Sequence, residues 1–225
     1  MKINPNIKAV FFDMDGVLFD SMPNHARSWV KAMQGLDIPF TEYDAYLHEG
    51  RTGASTINTY FLKYKNREAT VEEQQAIYKK KSNYFEQCPP AERMKLAYEL
   101  LQKVKAAGLD ICVVTGSAQM SLLDHLDDHF PDIFQPNRLV TAFDVKFGKP
   151  NPEPYLMALE KTGVKPSQAI VIENAPLGVQ SAKAAGIFTI AVNTGILEDE
   201  VLRQAGADIV CSNGMSELYE KWDSL

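Results

Sequence analysis

Short apolar runs that alternate with helical patterns are the feature of this sequence that most constrains its fold. The runs consist mainly of apolar residues and lie at residues 8–13, 110–115, 138–141, 169–173, 188–192 and 208–211. Gly108, Gly163 and Gly186 each follow a segment with helical spacing of apolar residues, which is typical of helix C-termini. Strands separated by helices form right-handed crossovers, so we expect an α/β fold with one parallel sheet and helices on both faces.

The segment 21–92 interrupts this alternation. Three or four helical stretches rich in Tyr and Lys occupy it, where a single crossover helix would suffice. Pro23 suits the first turn of a helix, where its missing N–H is not needed, and Pro89-Pro90 marks the return to the sheet. We therefore expect an inserted all-α helical cap at 21–92 and a core made of residues 1–20 and 93–225.

Composition and charge narrow the class of protein. The 225 residues are 45% hydrophobic and 23% charged, which is typical of a globular domain carrying a smaller insertion. The 29 acidic residues outnumber the 23 Lys and Arg, and this net charge of −6 opposes binding to nucleic acids or anionic membranes, so we expect neither partner. The early apolar stretch Ala9–Phe12 is too short for a signal peptide, and the three cysteines form no Cys-x-x-Cys pair. We expect a cytoplasmic protein with inert thiols.

Asp13 and Asp15 follow the first apolar run and are the first candidate site residues. In an extended segment, residues i and i+2 point to the same side, so both carboxylates face one place beyond the sheet edge. Two carboxylates that share a pocket favour a cation there. Taken alone, the motif also fits a pair of loop-capping aspartates followed by the turn residue Gly16.

Two further motifs favour an anion site. Thr115, Gly116 and Ser117 end the second run with two hydroxyl groups and a glycine, an arrangement that offers backbone N–H groups to an anion. A simple helix N-cap is the alternative for this motif. Lys149 lies among three prolines, at positions 150, 152 and 154, which restrict where its ammonium group can go.

Glu173 and Asn174 complete the candidate set at the end of another apolar run. Their side chains carry the oxygen ligands that Mg²⁺ prefers. The groups at 13, 115, 149 and 173 all lie at or just after the carboxyl end of a strand-like run, where open α/β sheets bind ligands. We therefore expect them to meet in space although they are far apart in sequence.

These four motifs, in this order, resemble those of the haloacid dehalogenase-like phosphotransferase superfamily. The resemblance is greatest to the branch of β-phosphoglucomutases and related sugar-phosphate phosphatases with a small helical cap, and it covers essentially the whole chain. It implies a Rossmann-like core with an inserted helical cap. It also implies Mg²⁺-dependent phosphoryl transfer on a small phosphorylated metabolite, with sugar phosphates as the expected class.

The resemblance implies a role for each core residue. Asp13 would be the nucleophile that forms an aspartyl-phosphate, and Asp15 would be the general acid and base. Thr115 and the amides of Gly116 and Ser117 would hold the phosphoryl oxygens, while Lys149 would neutralise their charge.

The same resemblance implies a metal site made of Asp13, Asp15 through its carbonyl group, Glu173 and Asn174. Members of this branch usually show Glu-Asp where this chain has Glu173-Asn174. Asparagine keeps a carbonyl oxygen but lacks the negative charge, so we expect weaker Mg²⁺ binding.

The cap supplies candidate substrate residues at His25, Arg51 and one of the lysines at 79–81. His25 follows the nucleophile loop by only ten residues. The lysines at 79–81 most simply form a solvated helix face, with Lys80 or Lys81 turning inward, and Lys80 is the candidate. Arg51 lies in a segment similar to the specificity loop of the family, but Gly53 stands where the mutases carry their phosphate-binding arginine. The choice between phosphatase and phosphomutase stays open. A catalytically weakened binding or regulatory protein is the alternative from another class, because of Asn174.

Overall fold

A parallel β-sheet forms the centre of the protein. The computed structural model describes residues 6–116, 126–135 and 137–224. Within them, six strands pair in the order β3-β2-β1-β4-β5-β6, and every pair is parallel. The strands are β1 (Ala9–Phe12), β2 (Asp110–Val114), β3 (Leu139–Val140), β4 (Ala169–Glu173), β5 (Phe188–Val192) and β6 (Ile209–Cys211). The expected parallel α/β sheet is confirmed.

Four helices lie between β1 and β2 as an insertion. They are α1 (Met22–Met33), α2 (Glu42–Leu47), α3 (Gly53–Lys65) and α4 (Val71–Glu86). The side-chain hydroxyls of Thr41, Thr52 and Thr70 accept backbone N–H bonds at the starts of α2, α3 and α4, which fixes where these helices begin. The four helices share an apolar cluster that is separate from those of the sheet, so they form the helical cap that the fold class predicts.

The remaining helices cover both faces of the sheet. They are α5 (Ala97–Ala106), α6 (Leu126–His129), α7 (Glu153–Thr162), α8 (Pro176–Ala184), α9 (Asp199–Gln204) and α10 (Gly214–Lys221), with 3-10 turns at Pro166–Gln168 and Trp222–Ser224. Val10 and Phe12 pack into one apolar cluster, whereas Ala9 and Phe11 pack into another on the opposite face. No helix in the described residues is long and apolar enough to cross a bilayer.

The register of β1 places the site. Phe12 pairs with Val113 of β2 on one side and with Ile172 of β4 on the other. The carboxyl ends of these three neighbouring strands are therefore level. Asp13, Thr115 and Glu173 all emerge at the same edge of the sheet, as the sequence analysis expects.

The cap rests on the core loop between β5 and α9. Leu197, only 6% exposed, packs within the apolar cluster of the cap. The Tyr43 hydroxyl donates to Glu198 at 2.9 Å, and the ring of Tyr46 lies where a side chain at Gly195 would begin, 2.7 Å from an added Cβ. These contacts hold the cap over the carboxyl edge of the sheet.

We predict that Leu197→Ala lowers the free energy of unfolding by about 2 kcal/mol, because it leaves a cavity where the core loop enters the cap. Urea denaturation measures this change. Ile196→Ala is the matched control, since Ile196 is 53% exposed, and it should change the stability by less than about 0.5 kcal/mol. Equal stability of the two variants would contradict the described docking of the cap.

Candidate active site

Lys149 joins the carboxyl ends of three strands. Its Nζ donates to Asp13 Oδ1 at 2.5 Å, to Glu173 Oε1 at 2.6 Å and to the Val114 carbonyl at 3.0 Å. Lys149, Asp13 and Glu173 are 2%, 4% and 0% exposed, respectively, so the ion cluster is almost dry. Burial lowers the pKa of Lys149, but the two carboxylates outweigh it and hold that pKa above its ordinary value. Lys149 is therefore a fixed, charged ammonium group.

Four donors surround the carboxylate of Glu173. Oε1 accepts from Lys149 and, at 2.7 Å, from the buried hydroxyl of Tyr155. Oε2 accepts the backbone N–H groups of Asn174 at 3.0 Å and Ala175 at 3.2 Å. A carboxylate has about four acceptor positions, and all of those on Glu173 are in use. Glu173 therefore has no free acceptor position in this structure, and its role as a metal ligand stays a prediction.

Asn174 faces the cap. Its Nδ2 group donates to both carboxylate oxygens of Glu49, each at 3.1 Å. Burial, then the charges of Asp13, Glu173 and Asp15, raise the pKa of Glu49. An aspartate at 174 would offer Glu49 a second carboxylate in place of a donor. The asparagine thus allows a cap carboxylate to approach the core.

The side-chain oxygen of Asn174 has no hydrogen-bond partner among the residues that the structure describes. This oxygen, Oδ1, is buried. Buried polar atoms are nearly always satisfied, so this oxygen marks a position where a ligand is expected. No cluster of three His, Cys, Asp or Glu side chains is present in the described ranges to hold a metal ion by itself. A metal site here needs amide or backbone oxygens as well.

Asp15 lies at the end of a hydrogen-bonded chain that enters from the cap. Its Oδ1 accepts from Ser21 Oγ at 2.5 Å and lies 3.0 Å from His25 Nε2, while His25 Nδ1 lies 2.8 Å from Lys81 Nζ. A lysine ammonium can only donate, so His25 Nδ1 accepts and its Nε2–H donates to Asp15. Burial raises the pKa of Asp15, but His25, Ser21 and Lys81 outweigh it and lower that pKa. His25 therefore contacts Asp15 at the cavity, and its role in substrate binding stays a prediction.

Lys80 is a correction to the sequence analysis. The inward lysine is Lys81, which is 2% exposed, whereas Lys80 is exposed and places its Nζ 3.5 Å from the Gln34 carbonyl. Ile77, Lys81 and Phe85 recur every four residues along the buried face of α4. Lys80 precedes that face by about 100° of helix rotation, so its side chain turns toward the surface.

The specificity segment of the cap touches the candidate phosphate loop. A Cβ on Gly116 would lie 2.5 Å from the Gly50 carbonyl oxygen, so the two backbones approach as closely as glycine permits. A Cβ on Gly53 would lie 2.2 Å from the ring of Tyr78. The position where the mutases carry an arginine therefore has no space for one.

Thr115 is buried beside Gly116. Ser117 lies outside the described residues, so the phosphate-binding role of Ser117 stays a prediction.

A cavity of about 60 Å³ lies between the cap and the core. Asp13, Asp15, Thr115 and Gly116 line its core side, and the cap side is lined by Met22, His25, Trp29, Phe40, Ala45, His48, Glu49, Gly50, Arg51, Gly53, Thr56, Tyr78 and Lys81. Arg51 donates to His48 Nδ1 and to Ser55 Oγ, both at 3.3 Å. Burial, then the charge of Arg51, lower the pKa of His48, so the His48 ring is neutral at pH 7. The Ser55 hydroxyl carries no charge either.

Comparison with known proteins assigns the chain to a family. A family model for haloacid dehalogenase-like hydrolases matches residues 7–186. The chain belongs to the haloacid dehalogenase-like hydrolase family. Hexitol phosphatase A of Escherichia coli (strain K12) is 31% identical over 187 residues, which cover 83% of each chain. β-Phosphoglucomutase of Bacillus subtilis (strain 168) is 27% identical over 232 residues and 96% of each chain.

Solved structures agree with this assignment. A structure from Bacteroides vulgatus, described as a candidate β-phosphoglucomutase, is 58% identical with a TM-score of 0.93 and covers 97% of this chain and 88% of that one. The resemblance to haloacid dehalogenase-like proteins is confirmed, and so is the fold of a parallel sheet with a helical cap. The expected enzyme class, a phosphohydrolase or phosphomutase, is confirmed at the level of the family.

Sequence reasoning missed Glu49 and Tyr155. Glu49 precedes the glycine of the specificity segment, but its partner Asn174 lies 125 residues away and no local pattern links them. Tyr155 follows Lys149 by six residues, at the start of a helix whose buried face includes Ala158 and Leu159. Its helical spacing indicates burial, and a buried tyrosine hydroxyl needs a partner. That requirement predicts a hydrogen-bond partner for the Tyr155 hydroxyl, but it does not identify Glu173 as that partner.

We predict a pH dependence of stability that comes from Lys81. Burial lowers the pKa of Lys81 from 10.5 to about 8. Above pH 8 the folded protein releases this proton while the unfolded chain keeps it up to about 10.5, so raising the pH favours the folded state. Between pH 7 and pH 10 the contribution of Lys81 should grow by about 2 kcal/mol. Urea denaturation across this range should show that growth in the wild type and its loss in Lys81→Met.

Lys80→Met is the matched control for this experiment. Lys80 is exposed on the same helix, so its replacement should leave the pH dependence as in the wild type. A Lys81→Met variant whose stability follows the wild-type pH curve would contradict the burial of an ionisable lysine at this position.

Proposed function

We propose that the protein transfers a phosphoryl group from a small phosphorylated metabolite to Asp13 and then to water, with Mg²⁺ as cofactor. The observation that carries this proposal is the ion cluster of Asp13, Lys149 and Glu173 at the carboxyl edge of the sheet. It presents one buried carboxylate to a cavity, beside Thr115 and the backbone of Gly116. A nucleophile, a fixed cation and a backbone site for phosphoryl oxygens thereby lie close together.

The first half of the reaction uses Asp13 and Asp15. An oxygen of Asp13 attacks phosphorus, and the bond from phosphorus to the leaving oxygen breaks. The leaving oxygen takes a proton from Asp15, which must enter this step in its acid form although its hydrogen bonds lower its pKa. Lys149 stays beside Asp13 and stabilises the negative charge on the phosphoryl oxygens. Thr115 and the N–H of Gly116 would hold these oxygens.

The second half returns the enzyme to its starting state. Asp15, now a carboxylate, takes a proton from a water molecule as that water attacks phosphorus and releases Asp13. The chain from Lys81 through His25 fixes the orientation of Asp15 in both halves. Because these cap residues reach Asp15 only when the cap lies over the core, closure completes the acid and base.

The residues fit a magnesium ion. The buried Asn174 Oδ1 is a hard oxygen ligand that has no hydrogen bond with any described residue. Asn174 Oδ1, an oxygen of Asp13 and the Asp15 carbonyl would hold the ion. Asp13, Asp15 and Glu173 place three carboxyl groups around the one ammonium group of Lys149. Burial raises the pKa of Asp13, Lys149 opposes this, and Glu173 and Asp15 add to it. When bound, Mg²⁺ supplies the charge that lets a phosphate dianion approach.

Hydrolysis fits the cap better than mutase chemistry does. A mutase must bind a second phosphate of a sugar bisphosphate, and Tyr78 fills the space that a side chain at Gly53 would need. A cavity of 60 Å³ also holds only a compact group beside Asp13, because sites for drug-sized ligands measure about 300–1,000 Å³. Relatives that act on sugar phosphates still make small sugar phosphates the first substrate class to test.

A compact diphosphate such as inorganic pyrophosphate is a second candidate substrate. The cap side of the cavity offers two cations, Arg51 and Lys81. The hydrogen-bond acceptors of Arg51, His48 and Ser55, are neutral, so its charge stays available for an anionic leaving group. Small volume and cations on the leaving-group side both favour a second phosphate over a sugar ring.

We predict that Asp13→Asn abolishes turnover, because the amide removes the nucleophile while the shape of the side chain is kept. Excess EDTA should abolish the activity of the wild type, and Mg²⁺ should restore it. Phosphate release measures both effects. Normal rates for Asp13→Asn would end the covalent scheme, and undiminished turnover in EDTA would end the role of the metal.

We predict that a substrate panel separates the candidates. The panel contains inorganic pyrophosphate, hexitol phosphates and β-glucose 1-phosphate, the last with and without catalytic glucose 1,6-bisphosphate. Phosphate release without the bisphosphate indicates a phosphatase, and a preference for pyrophosphate supports the second candidate. Isomerisation that depends on the bisphosphate would show a mutase. No turnover of any compound with Mg²⁺ would favour a catalytically weakened binding protein.

A further inference from the structure

The carboxylate of Glu173 is fixed by the backbone on one side. Its Oε2 accepts the N–H groups of Asn174 and Ala175, which immediately precede α8. Gly178 in the first turns of α8 makes room for it, because a Cβ at this position would lie 1.9 Å from Glu173 Oε1. Any side chain at position 178 would therefore displace the Glu173 carboxylate.

On its other side, Glu173 is shared by Lys149 and Tyr155. Both donate to Oε1, at 2.6 Å and 2.7 Å. Tyr155 is fully buried on α7, and its ring centroid lies 5.2 Å from Lys149 Nζ. The Tyr155 ring thus lies at cation–π distance from the ammonium group. Its hydroxyl and that ammonium group also donate to the same carboxylate oxygen.

Lys149 has no spare donor. An ammonium group has three N–H bonds, and those of Lys149 go to Asp13, Glu173 and the Val114 carbonyl. Its position beside Asp13 is therefore set by where the Glu173 oxygen lies. The Tyr155 hydroxyl holds that oxygen, Oε1, while the backbone amides hold Oε2.

We propose that Tyr155 is a positioning residue, which keeps Lys149 against Asp13 by holding Glu173, and that Glu173 serves this role rather than binding the metal. This inference rests on the proposed phosphoryl transfer. The four hydrogen bonds to Glu173 support it, because they leave this carboxylate no free acceptor position. Asn174 Oδ1 supports it too, because this buried oxygen makes no hydrogen bond with a described residue and is free to bind the metal.

Removal of the Tyr155 hydroxyl tests the proposal. Tyr155→Phe keeps the ring and its packing but releases one of the two donors to Glu173 Oε1. Lys149 then loses its fixed position, and we expect kcat to fall about tenfold or more with KM changed less than about threefold. The affinity for trifluoroberyllate, a phosphoryl mimic, in the presence of Mg²⁺ should fall by a similar factor.

The affinity for Mg²⁺ separates positioning of Lys149 from support of a metal ligand. Loss of a group that orients a metal ligand typically weakens metal binding by about 10- to 100-fold. If Glu173 does not bind the metal, the Kd of Tyr155→Phe for Mg²⁺ alone, measured by calorimetry, should stay within about threefold of the wild type. A tenfold rise would place Glu173 on the metal and overturn the proposal.

Tyr60→Phe is the matched control. Tyr60 is also buried, and its hydroxyl also donates to a carboxylate, Asp44 at 2.7 Å, but this pair does not line the cavity. Both variants should lose comparable thermal stability, and only Tyr155→Phe should lose trifluoroberyllate affinity. Equal affinity in the two variants would overturn the positioning role alone. A wild-type protein that does not bind trifluoroberyllate with Mg²⁺ would overturn the proposed function and this inference with it.

Discussion

The three hydrogen bonds of the Lys149 ammonium group hold the site together. They connect the residue after β1, the last residue of β4 and the carbonyl at the end of β2, and all three groups are buried. Removing one member of such a cluster leaves an uncompensated charge, which is far more costly than the same change at the surface. The fold supplies the partners because parallel strands with level carboxyl ends must deliver their next residues to one edge.

The cap adds a second layer of electrostatics. Glu49 meets Asn174, and Lys81 meets His25, so the cap brings one carboxylate and one cation to a core that already contains Asp13 and Glu173. The N–H₂ group of Asn174 binds the cap carboxylate, while its buried oxygen makes no hydrogen bond with any described residue. The departure from the Glu-Asp pattern of the family therefore has a structural cause in this chain.

The sequence predicted those parts of the site that topology determines. Asp13, Thr115 and Glu173 follow apolar runs, and the carboxyl ends of parallel strands converge whatever the details of packing. It did not determine the phase of α4, where Lys80 and Lys81 differ by one position, because neighbouring lysines give no apolar contrast to separate them. Glu49 with Asn174, and Tyr155 with Glu173, are contacts between distant segments. Propensity and spacing describe local structure and contain no information about such pairs.

A crystal structure with Mg²⁺ and trifluoroberyllate tests the central claim most directly, because it shows the metal, the phosphoryl mimic and the ion cluster together. The account predicts beryllium bonded to an Asp13 oxygen, Lys149 still between Asp13 and Glu173, and Asn174 Oδ1 among the magnesium ligands. Beryllium bound elsewhere, or Lys149 separated from both carboxylates, would contradict it.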